Sequence, residues 1–85
     1  MRIRTNKHLV VLTNDPSLTA WGYCVMKNDI VLECGCIKTA PEHKKKRIRK
    51  SDDTVRRISE INKILLGLIK RHEVDFILSE APHGS

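Results

Sequence analysis

Apolar residues in this chain change their spacing along its length, and that change sets the order of its elements. Val55, Ile58, Ile61, Leu65, Leu68 and Ile69 recur every three or four positions, the mark of an amphipathic helix. Before and after that stripe the apolar residues come in short β-branched runs. Residues 8–14 form one, stopped by the turn signal Asp15-Pro16-Ser17; residues 21–27 and 30–38 form two more; Val74-Asp75-Phe76-Ile77-Leu78-Ser79-Glu80 forms the last. The predicted order is β-β-β-α-β, an α/β fold.

Local signals refine that order. Asn28-Asp29 between the second and third runs reads as a two-residue hairpin turn, so those strands are antiparallel. A turn at those two residues sets Cys24 opposite Glu33 and Tyr23 opposite Cys34. Cys24 then lies on the other sheet face from Cys34 and Cys36, which predicts three free thiols and no shared metal. Ser51 is the expected N-cap, with Asp52 and Asp53 in the first turn and Lys70, Arg71 and His72 in the last, each charge on the end that suits the helix dipole. The same spacing turns Arg56, Arg57, Glu60 and Lys63 outward.

Topology then brings two acids together. A helical crossover makes the third and fourth strands parallel, and two short antiparallel connections before it make the first and fourth parallel. If those two strands pair, Asp15 and Glu80 share the carboxyl edge of the sheet, where open α/β sheets place their ligands. Taken alone, Asp15 before Pro16 is equally a turn cap, and Glu80 a surface charge. Yet an acid that ends an apolar run is costly to bury unless paired or bound to metal. Asp75, at the opposite end of the last run, reads as structural.

Length and charge bound the rest. Eighty-five residues make one domain with a small core, and Trp21, Tyr23 and Phe76 are its only large rings. Sixteen Lys and Arg against ten Asp and Glu leave +6, and Lys44, Lys45, Lys46, Arg47, Arg49 and Lys50 concentrate six of those cations in seven residues. Such a stretch attracts polyanions, nucleic acid first, with Arg56 and Arg57 extending it; a solvated loop or an import-like tract are the competing readings. No apolar stretch approaches membrane-spanning length and Met1-Arg2-Ile3-Arg4 opens no signal-peptide core, so no membrane partner is expected. Three cysteines, an odd count, fit a reducing compartment, and the expectation is a soluble cytoplasmic protein of a bacterial or phage-infected cell.

The run Val10-Val11-Leu12-Thr13-Asn14-Asp15-Pro16-Ser17-Leu18-Thr19-Ala20-Trp21-Gly22-Tyr23 resembles the opening of RuvC-like Holliday junction resolvases, especially their phage-type members. Gly35-Cys36-Ile37-Lys38-Thr39 and Ser79-Glu80-Ala81-Pro82-His83-Gly84-Ser85 follow in the same order as in that family. The resemblance implies an RNase H-like mixed sheet, incomplete here relative to the full fold, in a single domain truncated on its C-terminal side. It also implies a homodimer that cuts branched DNA with Mg2+ or Mn2+, with Asp15 and Glu80 as metal-binding, catalytic carboxylates. Ser17 stands where the bacterial members commonly carry glycine, and the family's later acidic helix has no counterpart in these 85 residues.

That chemistry suits the residues. Phosphodiester hydrolysis needs a more acidic water and a stabilised leaving oxygen, which two divalent ions roughly 3.5 to 4 Å apart supply. Magnesium is hard and takes oxygen ligands, so carboxylates are the fitting donors. Ser17 and Thr19 in the turn are candidates to bond phosphate or metal-bound water, or else to make local turn bonds, and His83 is a candidate assistant. The basic loop would neutralise phosphates without reading bases. One rival is a non-enzymatic nucleic-acid-binding protein with a degenerate RNase H-like fold. Another is an actin-like nucleotide-binding module, which wants a glycine-rich phosphate turn that Asp15-Pro16-Ser17-Leu18 lacks.

Overall fold

The computed structural model describes residues 9–42 and 50–80. Four strands, β1 (Val10–Asp15), β2 (Ala20–Lys27), β3 (Ile30–Lys38) and β4 (Phe76–Ser79), form one mixed sheet in the order β3-β2-β1-β4, and one helix, α1 (Lys50–His72), precedes β4. β1 pairs antiparallel with β2 and parallel with β4, while β2 pairs antiparallel with β3. The predicted element order and strand directions therefore hold, and β1 and β4 are neighbours. No helix among the described residues is long and apolar enough to cross a membrane.

One side of the sheet carries the core. Side chains along β1 alternate between buried and partly buried, as a strand covered on one face requires. Val10, Leu12 and Val25 pack with Leu68 of α1, and Tyr23, Leu65, Ile69 and Val74 border them. The helix ends where Glu73 takes a left-handed φ of 51° and the Val74 N–H donates to Ile69 O at 3.1 Å, closing the last turn before β4. Asp75 fastens the chain just ahead of β4, its N–H donating to Val10 O at 2.8 Å and its Oδ2 accepting from the Val10 N–H at 2.9 Å. It is structural, as expected.

Three local expectations give way. The hairpin does turn at Asn28, with a left-handed φ of 56° that Asn tolerates, but its register is not uniform. Lys27 pairs with Ile30 and Met26 with Val31, then Val25 pairs with Glu33, leaving Leu32 as the extra residue of a β-bulge. One extra residue moves every later pairing by one position. Cys24 accordingly opposes Cys34, Tyr23 opposes Gly35, and Cys24 and Cys34 form a disulfide with Cα atoms 4.1 Å apart. Cys36 alone remains free and is exposed.

The helix stripe also shifts. Ile61 and Leu68 are buried and Leu65 and Ile69 partly so, but Val55 and Ile58 are 65% and 45% exposed. In their place, Asp53 and Arg57 occupy the buried face of the first two turns. Arg57, expected to point outward, sits one helical turn before Ile61 on the sheet-facing side, because Thr39 and Thr19 offer it oxygens there. Ser51 lies inside the first turn, one residue past Lys50, so it is not the residue that precedes the helix.

Candidate functional site

The last register pair between β1 and β4 is Asn14 with Ser79, so Asp15 and Glu80 each come one residue later on adjacent parallel strands. Side chains alternate along a strand, so both acids project from the face opposite that of Asn14 and Leu12, away from α1. Both are exposed and both line an open cleft of about 520 Å³, together with Thr13, Gly22, Cys24 and Ser79. The topology thus does bring the two predicted carboxylates together.

Asn14 holds their two strand ends in place. Only 6% exposed, it accepts from the Trp21 Nε1–H at 3.2 Å and donates through Nδ2 to Ser79 Oγ at 3.3 Å, so one amide ties β1 to both of its neighbours. The Glu80 N–H donates to Asn14 O at 3.2 Å, fixing the backbone that carries the second acid. Thr13 Oγ1 donates to Cys24 O at 3.3 Å and steadies the floor. Asn14 was not among the residues expected from the sequence; a polar residue inside an apolar run has to be paired to be buried, and that rule could have marked it. Gly22, paired with Asp15, adds no side chain on the cleft face, while on the covered face, where Gly35 pairs with Tyr23, a Cβ at Gly35 would come within 2.5 Å of the Tyr23 hydroxyl. Only a residue without a side chain lets the Tyr23 ring lie there.

The turn residues have other work. The Ser17 Oγ accepts from the Ala20 N–H at 3.3 Å, a local turn bond. Thr19 Oγ1 accepts from Arg57 Nη2 at 3.2 Å, and Arg57 also donates from Nε to Thr39 Oγ1 at 2.9 Å and from Nη2 to Thr39 O at 3.2 Å. Thr39 in turn donates its N–H to Thr19 O at 3.1 Å and its hydroxyl to Leu18 O. This buried guanidinium therefore clamps the β1–β2 turn and the end of β3 onto the helix. Neither Ser17 nor Thr19 lines the acidic cleft.

Of the expected nucleic-acid contacts, Arg57 is consumed by that clamp. Arg56 donates to Asp53 Oδ1 at 2.9 Å, to Glu60 Oε2 at 2.9 Å and to Ala40 O at 2.8 Å, so its charge is largely answered within the fold. The Arg56 hydrogen bond is the main cause that holds the Asp53 carboxyl below its ordinary value, aided by the Glu42 N–H and opposed by desolvation. Lys50 is the first residue of α1. Lys44, Lys45, Lys46, Arg47, Arg49 and His83 lie outside the described residues.

The donor set at the cleft can be tested against a divalent ion. Asp15 and Glu80 are hard oxygen donors, as magnesium and manganese prefer. Among the described residues no group of three or more His, Cys, Asp or Glu is placed to hold a metal ion. The two carboxylates fit as part of the shell of one ion and fall short of a second. A scan of protein-family models, a search of curated proteins and a search of solved structures each found no match to this chain.

Proposed function

We propose that this chain carries the metal-binding centre of an RNase H-like endonuclease acting on branched DNA, similar to RuvC-like junction resolvases. The observation that carries the reading is the placement of Asp15 and Glu80 at the carboxyl ends of two adjacent parallel strands, lining one open cleft. That arrangement, on a β3-β2-β1-β4 sheet with a crossover helix on the other face, is what the family's sequence pattern implies.

In this reading Asp15 and Glu80 hold Mg2+ or Mn2+, and Asn14 positions them by locking the strand ends. A divalent ion bound there supplies Lewis acidity toward a phosphodiester and a more acidic water. Both carboxylates are exposed on a sheet face that no other described element covers, which leaves room for a backbone as wide as duplex or branched DNA. The cations between Lys44 and Lys50 attract that backbone without reading bases. A second ion requires carboxylates beyond the two that the described residues bring to the cleft.

Asp15→Asn preserves shape and removes the charge, which isolates the electrostatic role. In the product of the complete reading frame it should abolish Mg2+-dependent cleavage of a synthetic four-way junction and leave junction binding nearly unchanged. Full cleavage by the Asp15→Asn protein would overturn the nuclease reading. A second reading, a nucleic-acid-binding protein without catalysis, is favoured by the count of two carboxylates that the described residues bring to the cleft. Under it, the unsubstituted protein binds the junction and never cuts it.

A further inference from the structure

The open face of the sheet carries three sulfurs beside the acidic cleft. Thr13, Cys24 and Cys34 form one cross-strand row over β1, β2 and β3, and Asp15, Gly22 and Cys36 form the next but one along the same strands. Residues directly opposite each other share a face, so all three cysteines stand on the side away from α1. Cys24 lines the cleft with Asp15 and Glu80, and Cys34, the other half of its disulfide, is exposed.

This bridge adds little as a staple. Cross-linking stabilises most where it closes a long loop, and these two residues are ten apart in a hairpin that the Asn28 turn and the β2–β3 ladder already close. The register that sets them opposite each other is held from the covered face. Glu33 bonds His72 and Arg71 of α1, Ile37 is 5% exposed, Gly35 lies against the Tyr23 ring, and Thr39 is bonded to Arg57. A slip of one residue would turn Glu33 and Ile37 to the open face and undo these contacts. They contain no sulfur and lie on both sides of Cys34. The two Cα atoms, 4.1 Å apart as a closely spaced non-hydrogen-bonded pair, are therefore held together whether or not the sulfurs are joined.

We infer that Cys24 and Cys34 are a reversible dithiol–disulfide couple, open to a dithiol reductant from the sheet face that no described element covers. The couple stands on β2 and β3 and does not depend on the metal reading, whose carboxylates belong to β1 and to the residue after β4. Exposed bridges are the ones that exchange readily, and in a reducing compartment disulfides serve as transient or sensing bonds. Exchange begins at Cys34, which is exposed where Cys24 is half-buried. A thiolate of the reductant attacks Cys34 Sγ, the S–S bond breaks, and Cys24 leaves as a thiolate that takes up a proton. The second thiolate of the reductant then attacks its own sulfur in the mixed disulfide, closing a cyclic disulfide and releasing Cys34, which is protonated in turn. Two electrons and two protons pass from the dithiol to the pair. Cys36 faces Gly22, which offers no sulfur, and lies diagonal to Cys24 at about 7 to 8 Å, beyond bridging reach without backbone movement.

The test equilibrates the folded chain with mixtures of reduced and oxidised dithiothreitol, alkylates free thiols with iodoacetamide, and reads the peptides by mass spectrometry beside circular dichroism. Cys24 and Cys34 should gain their alkyl groups together, with Cys36 alkylated throughout and the spectrum unchanged. On return to the oxidised mixture the same pair should predominate over the other pairings that the thiols allow. In Cys34→Ser, the cross-strand Hα–Hα nuclear Overhauser contact between positions 24 and 34 should persist. No bridge in any mixture, reduction only after unfolding in urea, loss of the spectrum on reduction, re-oxidation mainly to a bridge that includes Cys36, or loss of the Hα–Hα contact would each overturn the inference.

Discussion

On the side of the sheet that α1 covers, Val10 is 6% exposed and Leu12 and Val25 are fully buried; on the other side, Val11, Thr13 and Met26 are only partly buried and Phe76 and Leu78 exceed half exposure. The strands are the same, and alternate residues serve opposite ends. Even-numbered positions of β1 build the core, while odd-numbered ones lead through Thr13 to Asp15. The covered face thus fixes strand positions to within the tolerance of packed side chains, and the open face uses that rigidity to hold two carboxylates at neighbouring strand ends. A cleft built this way can change its chemistry without disturbing the core beneath it.

The sharpest way to break the comparison is to truncate adjacent residues of one strand. Leu12→Ala should cost about 2 to 5 kcal/mol through lost burial and the cavity left behind. Val11→Ala, one residue away on the open face, should cost under about 1 kcal/mol, since it empties no packed space. Urea unfolding of both proteins measures the difference, and equal losses would mean that the open face is covered in solution.

Arg57 tests whether polar anchoring on the covered face matters as much as apolar packing. Its three hydrogen bonds to Thr39 and Thr19 come from a buried charge. Arg57→Ala should lose about 2 to 3 kcal/mol of stability, because bonds to charged groups are the stronger ones and their buried oxygens would be left unpaired. The same substitution should leave the salt dependence of DNA binding almost unaltered. A flatter salt slope would instead count Arg57 among the phosphate contacts.

The smallest effect is electrostatic. The His72 hydrogen bond at 2.7 Å is the main cause that holds the Glu33 carboxyl below its ordinary 4.5, against desolvation and with help from the charges of Arg71 and His72. A folded-state value that is depressed contributes stability that is fully present above the unfolded value and is lost as pH falls through the folded one. Stability should therefore decline below about pH 4.5, and Glu33→Gln should flatten that part of the decline. Thermal melts between pH 3 and 6 report it; an unchanged acid slope would show that the Glu33–His72 contact contributes nothing in solution.

Much of this molecule could be read in its sequence. Apolar periodicity is local, so the β-β-β-α-β order, the Asn28-Asp29 turn and the parallel directions of the first and last strands followed from spacing and the handedness of crossovers. The position of Asp15 and Glu80 at strand ends was legible for the same reason. Whether the two acids would meet was not, because strand order in a sheet depends on which edges pair, and only the folded sheet sets β1 beside β4.

The departures share a cause. Leu32 carries no mark that distinguishes it from its neighbours, yet as the bulged residue it shifts every later pairing by one position and sets Cys24 opposite Cys34. Arg57 looks like an exposed cation on a helix until Thr19 and Thr39, 38 and 18 residues away in sequence, supply the oxygens that make its burial affordable. Sequence alone determined the elements and their directions, which depend on residues a few positions apart. Register, burial of charge and the meeting of the two carboxylates were decided by the tertiary structure, since each depends on atoms that only the fold brings within bonding distance.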